Sequence, residues 1–316
     1  MDDNLNEINE TTSDDWGGHW TDDKMEIFIK YIKAYLTIMN KNPYFQLWYF
    51  DGFAGSGQIQ IQEPTNKKKK THESVELFSS NADTDSSSIK KRSIIEGIAP
   101  KVLEIDKPCS FDGYYFVELD KNKANSLQQM IKSRFPNKSN SCYVVSADCN
   151  EKVIAFADFL RKDNKRRGLA ILDPFGMTMN WSSIETLKNL GCDIWILVPT
   201  DIGVNRLLKK DGDINEAWML KLTHFLGLPK EEIKRRFYNE KVELTLFGES
   251  KQVQKVHKAI DKIAELYCER LKEVWQHVSK PFEMKNATGS IMFHFIFASQ
   301  VKAGVKIADE IIKSKK

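Results

Sequence analysis

The chain lacks most of the features that settle a protein's class at a glance. Its five cysteines, Cys109, Cys142, Cys149, Cys192 and Cys268, contain no CxxC pair. That excludes a zinc framework and points to reduced thiols, hence a cytoplasmic setting. No uninterrupted apolar run reaches membrane-spanning length, so no membrane association is expected. The opening Met-Asp-Asp-Asn has neither the basic nor the apolar region of a secretory or transit signal. A net charge of +3 is too small for a polycation, so any nucleic-acid affinity must come from local patches. His19, His224 and His294 are too dispersed for a metal site, and no internal repeat is evident.

Apolar material is plentiful and ordered. With 316 residues, 41% hydrophobic and 29% charged, there is room for one large α/β domain with additions or two small domains. Residues 1–15 are acidic and polar, unable to offset the entropy of ordering, and read as a disordered tail. The remainder, 16–316, reads as one domain. Thr21 is placed as the N-cap of a helix over 22–39, with Asp22 and Asp23 in its first turn and Met25, Phe28, Ile29, Ile32, Leu36 and Met39 at helical spacing. β-favouring runs at 45–50, 113–117, 142–146, 168–172 and 193–198 alternate with helical patterns. Such alternation predicts an α/β fold, a mostly parallel central sheet with helices on both faces and right-handed crossovers.

Two stretches interrupt that rhythm. Residues 58–88, with Lys67-Lys68-Lys69-Lys70 and a Ser/Asp-rich segment, read as a mobile insertion. Its lysines are either a solvated run or a phosphate contact. A helix over 89–105 follows, with Pro100 ending or kinking it. Residues 200–278 read as a mostly helical insertion that ends in a long amphipathic helix over 251–278. A β-like run over 290–298 and a helix over 304–312 close the chain.

The chemistry is suggested by where glycines and acids fall. Asp51-Gly-Phe-Ala-Gly-Ser-Gly57 directly follows the first strand. Glycines let the backbone turn sharply and approach a ligand closely. The loop has no lysine and no helix start close behind it, both arguing against a phosphate cradle. Glu118 or Asp120, then Asp148, then Asp173 end the next three strands. In open α/β sheets the ligand lies outside the carboxyl ends of the strands. An acid after the second strand suits a ribose diol, and one after the third suits an adenine amino group. Taken singly, each acid also reads as a strand terminus or a helix N-cap.

This arrangement resembles the class I S-adenosylmethionine-dependent methyltransferase fold, which is Rossmann-like. The resemblance implies S-adenosyl-L-methionine as cofactor, held by Asp51, Gly52, Phe53, Gly55, Gly57, Glu118 and Asp148, and an acceptor site at Asp173, Pro174 and Phe175. More narrowly, the chain resembles the three-Cys-motif partner (TcmP) family over roughly residues 16–312. The resemblance is carried by Thr21-Asp-Asp-Lys24, the Asp51–Gly57 loop, Leu172-Asp-Pro-Phe-Gly176 and Phe295-Ile-Phe-Ala-Ser299. It implies a partner bearing a three-cysteine, radical-type pattern. Adenine amino-methyltransferases usually carry Asp/Asn-Pro-Pro-Tyr/Phe; here the second proline is missing and the aromatic moves forward to Phe175. Asp173 can still accept from an amine and Phe175 can still stack, so the expected acceptor is a flipped or single-stranded purine in DNA or RNA.

Alternatives stay open at this level. One is a non-catalytic methyltransferase-like partner docked on the three-cysteine enzyme, in a mobile-element or defence setting. Another is a metal nuclease built on Asp51, Asp148 and Asp173. Asp201, Asn205 and Arg206 either border the acceptor pocket or start an ordinary helix. The basic residues Arg161 to Arg167, Lys209, Lys210, Arg235 and Arg236 either line a phosphate-binding surface or serve as helix ends.

Overall fold

The structure, a computed structural model, describes residues 19–62, 92–106, 108–174, 176–245 and 248–315. The expected tail, Lys67 to Lys70 and Phe175 lie outside the described residues. In chain order the elements are α1 (His19–Met39), β1 (Gln46–Asp51), β2 (Gln58–Gln62), β3 (Arg92–Glu96), α2 (Ile98–Leu103), β4 (Gly113–Glu118) and α3 (Lys121–Arg134). Next come β5 (Cys142–Ser146), α4 (Cys149–Arg161), β6 (Arg166–Leu172), α5 (Trp181–Glu185), β7 (Cys192–Val198), α6 (Glu216–Leu226) and α7 (Lys230–Phe237). The chain closes with β8 (Tyr238–Thr245), β9 (Gly248–Lys255), α8 (Ala259–Val274), β10 (His277–Val278), β11 (Phe282–Lys285), β12 (Ile291–Ser299) and α9 (Lys302–Lys313).

The central eight-stranded sheet runs β10-β12-β7-β6-β1-β4-β5, with β11 also paired to β12. The pairs β1–β4, β1–β6, β4–β5 and β6–β7 are parallel, whereas β12 is antiparallel to β7. The five parallel strands follow the doubly wound Rossmann order, with the ligand crevice expected at the carboxyl end of β1. The fold is therefore the Rossmann-like, mostly parallel α/β sheet that the strand–helix alternation predicts.

Both faces of the sheet are buried because its strands are apolar on both sides. In β7, Trp195 and Leu197 join the core under α1, α2, α3 and α9, while Ile194, Ile196 and Val198 join the one under α4, α5, α6 and α8. The helix α1 is fixed across the first face by rings: Phe28 against Tyr49 and Trp195, Tyr31 against Trp195 and Phe297. Among the described residues, no helix is long and apolar enough to cross a membrane.

Several boundaries differ from the sequence reading. Helix α1 starts at His19, so Thr21 lies inside it and is not its cap. Residues 58–62 are a strand, paired antiparallel with β3 so that Gln58 meets Glu96. The helix read over 89–105 is instead β3 plus the short α2. Pro100 falls in the first turn of α2, where a missing N–H has no helical partner to lose. The long helix read over 251–278 is also corrected. Residues 251–255 belong to β9, paired with β8, and Lys258, at φ 55°, turns the chain into α8. In β8, Val242 and Leu244 carry a short period-two pattern that a helical reading passes over, and in β9 Val253 stands alone among polar residues.

Candidate functional site

Register brings the strand-end acids to one edge. Asp51 pairs with Phe116 of β4 and Ile171 of β6, and Glu118 pairs with Ser146 of β5. The backbone then knits the ends together: Gly52 N–H donates to Ile171 O (3.0 Å) and Ala54 N–H to Val117 O (2.9 Å). The loop can lie this low because Gly52 has no side chain. A Cβ there would stand 2.6 Å from Cys149 Sγ and 2.8 Å from Leu172 Cδ2. Gly55 has a different reason: its φ of +63° is left-handed, and the space where a Cβ would be is open.

Glu118 is the acid best placed for a ligand. Its Oε2 accepts from Gly55 N–H (2.9 Å) and its Oε1 from Asp120 N–H (2.9 Å). Both oxygens are thereby oriented, and each keeps a further lone pair. Asp120, the alternative in the sequence, caps α3 instead, accepting from the N–H groups of Asn122 and Lys123. Next to Glu118, Leu119 is 73% exposed, an apolar side chain left bare at the strand end.

Asp148 caps α4 by accepting from Asn150 N–H at 2.8 Å. The N-cap reading of this acid thus holds, with its other oxygen outside that bond. Asn150 itself joins α4 to the segment after β6: its Nδ2 donates to Thr178 O (2.9 Å), and Asn180 N–H donates to its Oδ1 (2.7 Å).

Asp51 is buried beneath the loop. Its Oδ1 accepts from Phe53 N–H (3.1 Å) and its Oδ2 from the Tyr49 hydroxyl (3.3 Å). Burial pushes its carboxyl up to about 7, and the neighbouring Asp173 adds to the rise, while Phe53 N–H, Tyr49 and Lys24 oppose it. Asp173 is ion-paired through Oδ2 with the ammonium of Lys24, a buried residue of α1. Pro174 follows directly; Phe175, the third residue of this group, lies outside the described residues.

Lys24 is the residue that sequence reasoning missed as a site residue. Its signal was present: Lys24, Phe28, Tyr31 and Tyr35 form one buried stripe of α1, and the lysine is its only charged member. A charge on an otherwise apolar stripe demands a partner.

Beyond β7, Asp201 accepts from Asn205 Nδ2 (2.7 Å) in the turn Thr200–Asn205. These two residues, with Lys210, Lys255 and Lys258, line a cleft of about 870 Å³ that reaches the start of β12. Arg206 does not line it. The Lys255 ammonium donates to Asn205 O (2.8 Å) and Leu208 O (2.6 Å). The other basic residues are engaged elsewhere. Arg166 and Arg167 lie where β1 and β6 begin, at the opposite edge of the sheet, over the rings of Phe159 and Phe45. Arg235 and Arg236 pair with Glu232. His294 is buried with Nδ1 at 2.9 Å from Thr200 Oγ1, a satisfied sheet histidine as its alternation with Phe293 and Phe295 predicts. Among the described residues, no three His, Cys, Asp or Glu side chains are grouped to hold a metal ion. The trio needed by a metal nuclease is therefore not assembled.

No family model and no curated protein matches the chain. Solved structures do. Protein LPL1258 from Legionella pneumophila str. Philadelphia 1 is 16% identical, with 90% of this chain and 99% of that one covered, at a TM-score of 0.39. Spermidine synthase from Thermotoga maritima is 11% identical, with 92% and 62% covered, at 0.40. An rRNA methylase from Streptococcus thermophilus is 9% identical, with 71% and 95% covered, at 0.28. Likenesses this distant assign neither activity nor substrate, and the functional reading has to come from the site itself.

Proposed function

We propose that the chain is a class I S-adenosylmethionine-dependent methyltransferase acting on an amino group of a nucleic-acid base. One observation carries the reading: Glu118, oriented by Gly55 and Asp120, stands at the same sheet edge as Asp51 and Asp173. The residues fit the cofactor. The two oriented oxygens of Glu118 suit a ribose diol, and Leu119 offers bare apolar surface to a purine ring. Asp148 accepts from an adenine amino group with its remaining lone pairs. Asp51 and the glycine loop lie beneath the amino-acid end. When bound, the cofactor supplies a methyl group on an excellent leaving group, so alignment of the acceptor does much of the work.

Asp173 then has an orienting role. Its carboxylate accepts from the acceptor amine, Pro174 restricts the backbone at Asp173, and Phe175 stacks on the base. The cleft beyond β7 carries Lys210 and Lys258 beside Asp201 and Asp261, and a polyanionic acceptor would run along its lysines. Transfer of labelled methyl from S-adenosylmethionine to single-stranded DNA or RNA tests the reading, with Asp173→Ala as control. No incorporation by a chain that binds the cofactor would sink it.

A second reading is favoured by one observation, that Lys24 already occupies an oxygen of Asp173. In it the chain is a methyltransferase-like TcmP protein that binds a three-cysteine, radical-type partner without catalysing transfer. Co-purification with such a protein, together with no methylation of added nucleic acid, is its expected result.

A further inference from the structure

Two carboxylates end adjacent strands here. Asp51 closes β1, and Asp173 follows β6, two residues past Ile171, which pairs with Asp51. Only one buried cation among the described residues reaches them: Lys24, entering from α1 and paired with Asp173 Oδ2. The rings that lock Phe28 and Tyr31 onto the sheet hold α1 one turn farther along, so the lysine is delivered by a rigid element. Like charges packed together and partly desolvated are unfavourable without a counter-charge.

We infer that Lys24 is a positioning residue of this site: its ammonium fixes one oxygen of Asp173, leaves Oδ1 to the acceptor, and supplies the counter-charge that lets Asp51 present a negative charge to a cationic cofactor. This rests on the methyltransferase reading. The role differs from plain structural support in a definite way. A structural lysine changes only stability when replaced. A counter-charge lysine also changes the pH at which Asp51 ionises, because its field favours the carboxylate. The other groups facing Asp51 are Tyr49 from β1, Asp173 after β6 and Cys149 from α4. Lys24 is the only cation among them.

The test uses the intact chain with Lys24→Met, Lys24→Gln and Lys24→Arg. Asp51 ionisation is followed by carboxyl ¹³C NMR, with Asp51→Asn assigning the signal. S-adenosylmethionine binding is followed in parallel by calorimetry from pH 6 to 9. In the neutral variants the Asp51 midpoint should rise by about one pH unit. Binding at pH 7 should weaken about fivefold and recover as pH rises, and Lys24→Arg should restore both. Lys24→Gln keeps a donor toward Asp173 and covers the case in which Lys24→Met fails to fold. An unchanged Asp51 midpoint in a folded neutral variant overturns the inference. A wild-type chain that binds no S-adenosylmethionine at any pH overturns the methyltransferase reading instead, while the NMR midpoint, which needs no ligand, still decides the role of Lys24.

Discussion

Lys24 and Asp173, 149 positions apart, form an ion pair that ties the first helix to the end of β6. The lysine is buried and the aspartate side chain is 24% exposed, so the pair is partly desolvated. Removing one partner leaves the other without its counter-charge. Lys24→Met should therefore cost about 1–3 kcal/mol, toward the low side of a fully buried pair. In a double-mutant cycle with Asp173→Asn, the second substitution should add much less than it costs alone. Urea denaturation midpoints measure this; strict additivity would mean that the two charges do not interact.

Asp51 makes stability depend on pH in an unusual direction. Its folded carboxyl lies at about 7, above the ordinary value of 3.8. The folded state then holds a proton that the unfolded state has already lost, so stability falls as pH rises from about 4 through 7 and levels off above that. The contribution is on the order of 4 kcal/mol across this window. Asp51→Asn keeps an acceptor for Phe53 N–H and carries no charge to desolvate. Its thermal midpoint should exceed that of the wild type at pH 8 and approach it near pH 5. A gain independent of pH would contradict the burial of a titrating carboxyl.

The two loop glycines should respond differently to alanine. At Gly52 the new Cβ meets Cys149 Sγ and Leu172 Cδ2, so Gly52→Ala should cost about 1–3 kcal/mol and loosen cofactor binding. At Gly55 nothing lies within 4 Å, and Gly55→Ala should cost about 1–2 kcal/mol from its left-handed backbone alone. Cys149→Ala should recover some of the loss at Gly52 and none at Gly55, as read from denaturation midpoints.

How legible this site was in the sequence depended on the distance over which each signal acts. Strands β1, β4, β5, β6 and β7 announce themselves as apolar runs; Glu118 is the last residue of β4, and Asp173 and Asp148 lie one and two residues past the ends of β6 and β5. Asp120 and Asp148 also carry local cap signatures, which the structure shows in use. The Lys24–Asp173 pair is not local: it exists only because α1 packs across β1 and β7, which no spacing rule encodes. The return of the chain to the glycine loop was equally hidden. The hairpin of β2 and β3 brings Gly97 N–H to 3.0 Å from Gly57 O, so α2 begins beside the loop although it is distant in sequence. No helix follows the loop closely in the chain, as expected, since β2 and β3 precede α2; the contact brings a helix start beside the loop only in space. The absence of a lysine in the loop still separates it from a phosphate cradle.

The cleft beyond β7 gives a prediction about salt. If single-stranded nucleic acid lies across Lys210 and Lys258, each lysine neutralises a phosphate. Replacing both by Glu should weaken binding of a short oligonucleotide and flatten the plot of log affinity against log salt by about 0.7 per lysine. An unchanged slope would place the acceptor elsewhere.

The central claim is that the edge formed by Asp51, Glu118 and Asp173 seats S-adenosylmethionine. Titration calorimetry of the intact chain, wild type beside Glu118→Ala, tests it most directly. Charge-assisted bonds of the kind Glu118 would make are each worth about 1.5–3 kcal/mol. The account predicts one-to-one binding to the wild type and at least about a tenfold loss in the variant, with its fold intact by circular dichroism. No heat of binding in the wild type, or equal affinity in the two proteins, would contradict it.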